Sequence, residues 1–277
     1  MPITDSFGFL EYEVDLAFDW GSIKTRSDII EVRRALGNRL VKDGYIYPPR
    51  PSEMFKLPPS HNLILNDERD VANARRGLGG LIMHLLAFLF GKRLQFHDWW
   101  FAYRIPLTAT TINISLHDRE IHKFLDKSAT PWRSFDELNR SRIVNLLIAY
   151  SLAGALEWDW QRFQLEYMVM DACYRIAKEK DNCRARCHED RLRALSNTYG
   201  LMEDLGLFRF FVRLRNELFH ETFWDGGQIF TSQTAESFHA SFHLRRFNHR
   251  VIVALLYGGC PYIETDWTAM GTFFFSL

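Results

Sequence analysis

The sequence changes character near residue 130, and this change constrains the fold more than any other feature. Five of the nine prolines lie between residues 45 and 60, where they exclude regular structure and predict a long loop. Pro131 is expected to start a turn, and from there almost every segment has helical spacing of its apolar residues. We therefore predict an α+β protein that is mainly α, with a mixed α/β-strand module at 1–130 and a helical bundle at 131–277.

The two halves differ in the elements that their patterns predict. In the first half we predict strands at 7–20 and 61–65, β-rich segments at 99–106 and 111–116, and helices at 27–42 and from Asn66 or Asp67 to Phe90. In the second half we predict helices at 135–156, 158–180, 189–199, 204–221 and 231–257. The most apolar run, 78–90, has thirteen residues, which is too short to span a bilayer and predicts a buried helix.

Charge and cysteine usage narrow the class of protein. The chain has 34 Lys and Arg residues against 34 Asp and Glu residues, so it lacks the global positive field of a histone-like binder. Its four cysteines are too few for a disulfide framework in 277 residues. Its first residues have no basic region of the kind that begins a signal peptide. We therefore expect a cytoplasmic protein with reduced thiols and no membrane partner.

The predicted helix at 204–221 carries the most informative polar stripe. At 100° per residue, the polar side chains that fall near one another, opposite the apolar face, are Arg209, Arg213, Asn216, Glu217 and His220. Such a stripe combines cations that can hold a phosphate with an imidazole that can transfer a proton near neutral pH. The alternative is the solvated face of an ordinary amphipathic helix.

A short string within this helix resembles a family signature. Residues 215–220 read Arg-Asn-Glu-Leu-Phe-His, which matches the R-N-x-x-x-H form of the R-x4–6-H motif and resembles the signature of HEPN-domain ribonucleases. The preceding stretch 163–175, with Asp171-Ala172-Cys173, resembles the first core helix of prokaryotic HEPN domains, and the order of the helices fits. The likeness covers about residues 155–260. A β-rich module in front of such a domain is similar to ApeA-like antiphage proteins.

This resemblance implies a metal-independent endoribonuclease that needs no cofactor and acts as a toxin or antiphage defence effector on RNA. The 2′-hydroxyl of the RNA would attack the neighbouring phosphate, while His220 moves the proton and Arg215 stabilises the developing charge. Asn216 would orient either group. The products would be a 2′,3′-cyclic phosphate and a 5′-hydroxyl. An antitoxin or a phage-derived trigger would control the activity.

Two alternative functions stay open at this stage. One is a non-catalytic HEPN-like module that binds a nucleotide or a protein. The other is a structural helical protein in which the motif is a coincidence.

The geometry of a regular helix leaves the catalytic arginine undecided. Arg215 and His220 are five residues apart, which places them about 140° apart around an ideal helix. Arg213 is the better neighbour of His220 on one face and is the alternative catalytic arginine. The family usually pairs two chains so that both motifs line one cleft, and we expect a homodimer here, because a two-fold axis brings two copies of one helix together. The side chains expected to supply its apolar contacts are Phe208, Phe211 and Phe219.

Further residues are expected to support the motif. Asp171 is predicted to hydrogen-bond Arg215 or His220, or else to be a surface or capping carboxylate. The other supporting residues are Glu166, Arg213 and Glu217. The arginines expected to contact the RNA backbone are Arg209, Arg245, Arg246 and Arg250, with Arg184, Arg186, Arg191 and Arg193 as a possible extension. A solvated helix face is the alternative for these arginines.

Two remaining clusters are weaker. Cys183 and Cys187 with His188, and the pair His239 and His243, lack further ligands at zinc spacing, so we expect no metal site. The segment 93–101 interleaves aromatic residues with Arg93, His97 and Asp98. Such a segment can stack bases or sense a partner, and it can equally form a core with a satisfied polar pair.

Overall fold

The computed structural model describes residues 2–10, 12–42, 45–46, 58–66, 74–98, 114–156, 158–225, 229, 235–269 and 271–277. The chain is α+β with a preponderance of helix, and this part of the fold prediction is confirmed. It divides into two compact units, Met1–Thr110 and Thr111–Leu277. The division lies before the boundary predicted near residue 130, where the structure has an uninterrupted helix.

The first unit is built on an antiparallel sheet. Its strands are β1 (Ile3–Gly8), β2 (Leu16–Phe18), β3 (Gly21–Thr25), β4 (Val41–Lys42), β5 (Tyr45–Ile46), β6 (His61–Leu65) and β7 (Gln95–Phe96), and its helices are α1 (Ile29–Leu40) and α2 (Leu78–Phe90). Five strands join in the order β2-β3-β6-β1-β7, with every neighbouring pair antiparallel. Strands β4 and β5 pair as a separate ribbon.

Most of the predicted elements of this unit are present. The helix at 27–42 corresponds to α1, and the strand predicted at 61–65 is β6, whose residues alternate between buried and half-buried. The continuous strand predicted at 7–20 is wrong, because β1 ends at Gly8 and pairing resumes only at Leu16. Phe7, Phe9 and Leu10 are all buried, so this stretch is a core segment rather than a half-exposed strand.

The apolar run at 78–90 forms the buried helix α2, in which eleven of thirteen residues are buried. It begins after Gly77 rather than at Asn66 or Asp67, and Asp67 lies outside the described residues. Its C-terminal cap is Gly91, whose φ of 62° is the left-handed conformation that glycine adopts without strain. Most of the proline-rich loop predicted at 45–60 and the whole β-rich segment predicted at 99–106 also lie outside the described residues.

The described part of segment 93–101 shows whether its side chains are buried and paired or exposed. Phe96 is buried in β7, and the guanidinium of Arg75 lies 5.0 Å from its ring centroid. Arg75 also forms ion pairs with Asp5 and Asp98. Residues 93–98 therefore contain a core aromatic and a paired carboxylate, whereas Trp99, Trp100 and Phe101 lie outside the described residues.

The second unit is a helical bundle with one short parallel ribbon. Its helices are α3 (Asp118–Ser134), α4 (Glu137–Ala153), α5 (Asp159–Lys180), α6 (His188–Tyr199), α7 (Leu205–Asn216) and α8 (Ala235–Leu256), and its strands are β8 (Ile114–Ser115) and β9 (Phe273–Phe274). Helix α5 packs against α4, α6 and α8. The five helices predicted from 135 onward correspond to α4–α8. Helix α3 was missed, because Pro131, expected to start a turn, lies inside its last turn.

Aromatic side chains fill the core between α5, α7 and α8. Phe163 lies with its ring centroid 6.4 Å from that of Phe211, and Phe208 stacks on Trp267 at 5.9 Å. Phe247 of α8 meets Trp267 edge-on at 5.3 Å. Each such side chain contributes roughly 1.5–3 kcal/mol through burial of its apolar surface. This core fixes α7, which carries the motif, onto the bundle.

Candidate active site

Helix α7 ends in a π turn that carries the end of the motif. Asp204 caps the start of the helix, since its carboxylate accepts a hydrogen bond from the backbone N–H of Leu207 at 2.9 Å. After Asn216 the backbone widens into the π turn Glu217–Glu221, which ends at Thr222 in the left-handed conformation, with φ of 54°. A π turn joins residues five apart, where a regular helix joins residues four apart. The single regular helix predicted at 204–221 is therefore wrong at its last turn.

The π turn brings Arg215 into contact with His220. Nη1 of Arg215 lies 3.1 Å from Nε2 of His220 and donates to Oδ1 of Asn216 at 3.0 Å. A guanidinium can only donate hydrogen bonds, so Nε2 of His220 is the acceptor in this contact. His220 and Asn216 are exposed, and Arg215 is half-buried. The three residues predicted to be catalytic thus form one solvent-facing cluster within a single chain.

Arg213, the alternative catalytic arginine, has different partners. Its Nη1 lies 3.2 Å from a carboxylate oxygen of Glu217, and its Nη2 lies 3.1 Å from one of Asp225. The two carboxylates raise the pKa of Arg213 against the opposing effect of burial. Arg213 and Glu217, both predicted to support the motif, therefore pair with each other beside it. The geometry favours Arg215 as the partner of His220.

A second polar cluster lies on α5 and α6 beside the motif. Nη1 of Arg191 donates to Oδ1 of Asp171 at 2.7 Å, and Nδ1 of His188 lies 3.8 Å from the same oxygen. The His188 ring is 5.7 Å from the ring of Tyr167, whose hydroxyl is buried. Asp171 was predicted to bond Arg215 or His220, and its observed partners are Arg191 and His188 instead.

Electrostatics link this second cluster to the motif. Partial burial, together with the nearby charges of Arg191 and Arg215, lowers the pKa of His188, while Asp171 opposes the shift. Burial and Asp171 raise the pKa of Tyr167, and the charge of Arg215 opposes that shift. The guanidinium of Arg215 is thus close enough to influence both rings.

The predictions made from the sequence treat His188 only as a candidate metal ligand and Arg191 only as part of a basic rim. No spacing rule connects α6 with α7, so the proximity of His188 to Arg215 was not predictable from the sequence.

Glu166, the other predicted supporting carboxylate, belongs to the core. Its carboxylate accepts from Nη1 of Arg245 at 2.6 Å and from Nδ2 of Asn248 at 2.8 Å. Arg245 also donates to the backbone carbonyl of Tyr150 at 2.7 Å. Burial raises the pKa of Glu166, and the two donors oppose that shift. Glu166 therefore ties α5 to α8, and its recorded hydrogen bonds are to α8 rather than to the motif.

The arginines of α8 do not form the exposed rim that was expected to contact RNA. Arg245, Arg246 and Arg250 are 7%, 1% and 1% exposed, respectively. The Arg250 guanidinium donates to Thr265, and burial lowers the pKa of Arg246 to about 10. Their prediction as RNA contacts is wrong, because Arg245 is buried against Glu166 and Tyr150, while Arg246 and Arg250 are covered by residues from 262 onward. Arg209 is exposed and lies 3.5 Å from Glu189 of α6.

The apolar surface proposed for dimerisation is smaller than predicted. Phe208 and Phe211 have no exposed surface, because both belong to the aromatic core. Phe219 is 43% exposed, and its ring lies 5.2 Å from the guanidinium of Arg215. Of the three phenylalanines, only Phe219 is thus available to another chain.

In the part of the chain that the structure describes, no three His, Cys, Asp or Glu side chains are grouped as metal ligands. No helix among the described residues has both the length and the apolar character that crossing a membrane requires. Comparison of the chain with protein-family models, with curated proteins and with solved structures gives no significant match.

Proposed function

We propose that this chain is a metal-independent endoribonuclease of the HEPN type, acting on RNA as a toxin or antiphage defence effector. The observation that carries the proposal is the 3.1 Å contact between Arg215 and His220 on an exposed π turn. The motif suggested by the sequence would have its two key side chains on different faces of a regular helix. The widened turn removes that objection, which supports the motif as a functional pair.

The reaction follows from what the three side chains can do. The 2′-hydroxyl of a ribose attacks the adjacent phosphorus, and the 5′-oxygen of the next nucleotide leaves. As the Arg215 guanidinium turns from His220 to the phosphate, the freed Nε2 of His220 accepts the hydroxyl proton, and the leaving oxygen must receive one. Arg215 stabilises the additional negative charge on the phosphate oxygens, and Asn216 holds the guanidinium through its side-chain oxygen. The products are a 2′,3′-cyclic phosphate and a 5′-hydroxyl.

A second proton-transfer group completes this scheme, and we propose that a homodimer supplies it as the His220 of the other chain. The exposed ring of Phe219 beside Arg215 supports an interface at this place. His188 is the competing source within the same chain, since its ring lies in the cluster next to Arg215.

The test is cleavage of a labelled single-stranded RNA by the purified protein in excess EDTA. We expect fragments that end in a 2′,3′-cyclic phosphate, and a rate at least about a hundredfold lower for His220→Ala. His117→Ala is the matched control, because His117 is an exposed histidine at the start of α3. RNA that binds without being cut would instead identify a non-catalytic binding module. Activity that disappears in EDTA and returns with added metal would contradict the metal-independent mechanism.

Light scattering on the same sample tests the assembly. We expect twice the mass of one chain at the concentrations at which cleavage is measured. A fully active monomer that His188→Ala inactivates would replace the dimer by a mechanism with both imidazoles in one chain.

A further inference from the structure

A groove lined by arginines lies on the second unit, along one face of α6. Its volume is about 880 Å³, and it is bounded by the loop after α5 and by residues 190–198 of α6. Its charged lining residues are Arg184, Arg186, Arg193 and Asp190, and its neutral polar lining residues are Asn182, Asn197 and Thr198. Three guanidinium groups and one carboxylate thus share a cavity whose remaining polar groups are amides and a hydroxyl.

The positive charge of this arginine groove is only partly neutralised locally, by Asp190 and by a long contact to Glu203. Nε of Arg184 donates to Oδ1 of Asn182 at 3.0 Å, and that acceptor is uncharged. Nε of Arg193 lies 3.9 Å from the nearest carboxylate oxygen, on Glu203. Arg186 is exposed and has no ion pair within the described part of the chain. An anion in the groove would therefore meet cations that are still able to donate.

The loop that presents two of these arginines is fixed to the bundle. The side chain of Cys183 is buried, and its backbone N–H donates to the carbonyl of Ala177 at 3.3 Å. The backbone N–H of Ala185 donates to the hydroxyl of Tyr174 at 2.9 Å. Because the backbone on either side of Arg184 is held, little ordering is needed when a ligand binds.

Helix α6 lines the arginine groove and also carries His188 of the polar cluster near the candidate active site. Helix α6 carries the groove residues Asp190, Arg193 and Asn197 on one face and His188 on the opposite face, and Glu189 in its first turn pairs with Arg209 of α7. The lining residues from Asp190 to Asn197 span two turns, or about 10 Å along the helix axis. A single phosphate would occupy only part of that length, whereas a chain of phosphodiesters would follow it.

We propose that the arginine groove binds the phosphodiester backbone of a single-stranded RNA and so holds the substrate on which the Arg215–His220 pair acts. The proposal rests on the proposed ribonuclease function, which makes RNA the substrate. Arginine is suited to this role because its planar fork of donors matches phosphate oxygens. The groove would act on substrate affinity and leave the chemical step to the motif.

The experiment measures binding separately from cleavage. The probe is a fluorescent DNA oligonucleotide without terminal phosphates, which carries phosphodiesters but no 2′-hydroxyl to react, and fluorescence anisotropy is recorded over a range of salt concentrations. For the variant Arg184→Ala/Arg186→Ala/Arg193→Ala we expect at least about tenfold weaker binding near 100 mM salt and a salt slope smaller by about 2, since each phosphate contact contributes about 0.7 for single strands. Arg119→Ala, which removes an exposed arginine of α3, is the matched control and should bind as the wild type does.

The outcomes separate this proposal from the proposed function. His220→Ala should bind the probe normally, and the triple variant should raise KM for RNA with little change in kcat. Arginine-dependent binding by a wild-type protein that cuts no RNA would overturn the ribonuclease but keep the groove as a strand-binding site. Unchanged binding by a folded triple variant would overturn the groove. A groove that binds pyrophosphate or a mononucleotide more tightly than the phosphate-free oligonucleotide would show that its ligand is a free phosphate compound, which also overturns the proposal.

Discussion

The second unit contains two clusters with similar side chains in opposite environments. In the buried cluster, Glu166 and Arg245 lie 2.6 Å apart with side-chain exposures of 1% and 8%. In the exposed cluster, Arg215 and His220 are in contact on a surface turn. Loss of one partner in the core leaves an unpaired buried charge, whereas loss of one at the surface leaves a group that water can solvate. Burial, rather than residue type, therefore separates the polar residues that hold the bundle from those that a substrate can reach.

Removal of Arg245 should lower stability more than any other substitution proposed here. A small loss of stability would contradict the contrast between the buried and the exposed cluster. We expect Arg245→Met to lower the free energy of unfolding by about 3–5 kcal/mol, because it leaves the Glu166 carboxylate buried without its cation. Urea denaturation followed by circular dichroism measures this change. The matched exposed variant is Arg175→Ala, which removes a pair with Glu179 and should cost less than about 1 kcal/mol.

The double variant Glu166→Leu/Arg245→Met tests the cause of that loss. It removes both charges, so it should recover part of the stability lost in Arg245→Met. If the double variant were as unstable as the sum of the two single variants, lost packing rather than an unpaired charge would be responsible.

A buried imidazole should make stability depend on pH. His84 of α2 is 7% exposed, and burial lowers its pKa to about 4. The unfolded chain binds this proton at about pH 6.5, so the contribution of neutral His84 is complete above pH 6.5 and is lost as the pH falls toward 4. We expect this residue alone to account for about 3 kcal/mol of the loss between these limits. Urea denaturation of wild type and His84→Leu at several pH values measures it, and parallel pH curves for the two proteins would contradict the assignment.

Substitutions in the exposed cluster should lower the rate of RNA cleavage rather than the stability of the fold. We expect Arg215→Ala to lower kcat for RNA cleavage by about a hundredfold, as the loss of a donor to transition-state charge does, with a nearly unchanged melting temperature. Arg213→Ala removes surface pairs with Glu217 and Asp225 and should change kcat only slightly. Initial rates with saturating RNA compare the two variants. A large loss in Arg213→Ala and a small one in Arg215→Ala would reverse the assignment of the catalytic arginine.

The sequence predicted the elements whose signals are local. Helical spacing located α4–α8 and the apolar run at 78–90 located α2, because each pattern belongs to a single element. The resemblance also identified Arg215, Asn216 and His220, which the structure brings together.

The wrong or missing predictions concern properties that depend on more than one helix or strand. The polar face of α8 looked accessible, yet Arg246 and Arg250 are covered by residues that follow the helix. The placement of His188 near Arg215 depends on the packing of α6 beside α7. The contact within the motif depends on a departure from 100° per residue, which periodicity analysis takes as constant.

The π turn also has a consequence for grafting this pair onto another scaffold. The six residues 215–220 on a regular helix would place the two side chains about 140° apart, so the string alone would not transfer the contact. What must be transplanted is the helix end, including Thr222, whose left-handed backbone and N–H bond to the Glu217 carbonyl close the wide turn. The segment to transfer is thus the backbone of the π turn together with its left-handed last residue, because the motif side chains meet only on that backbone.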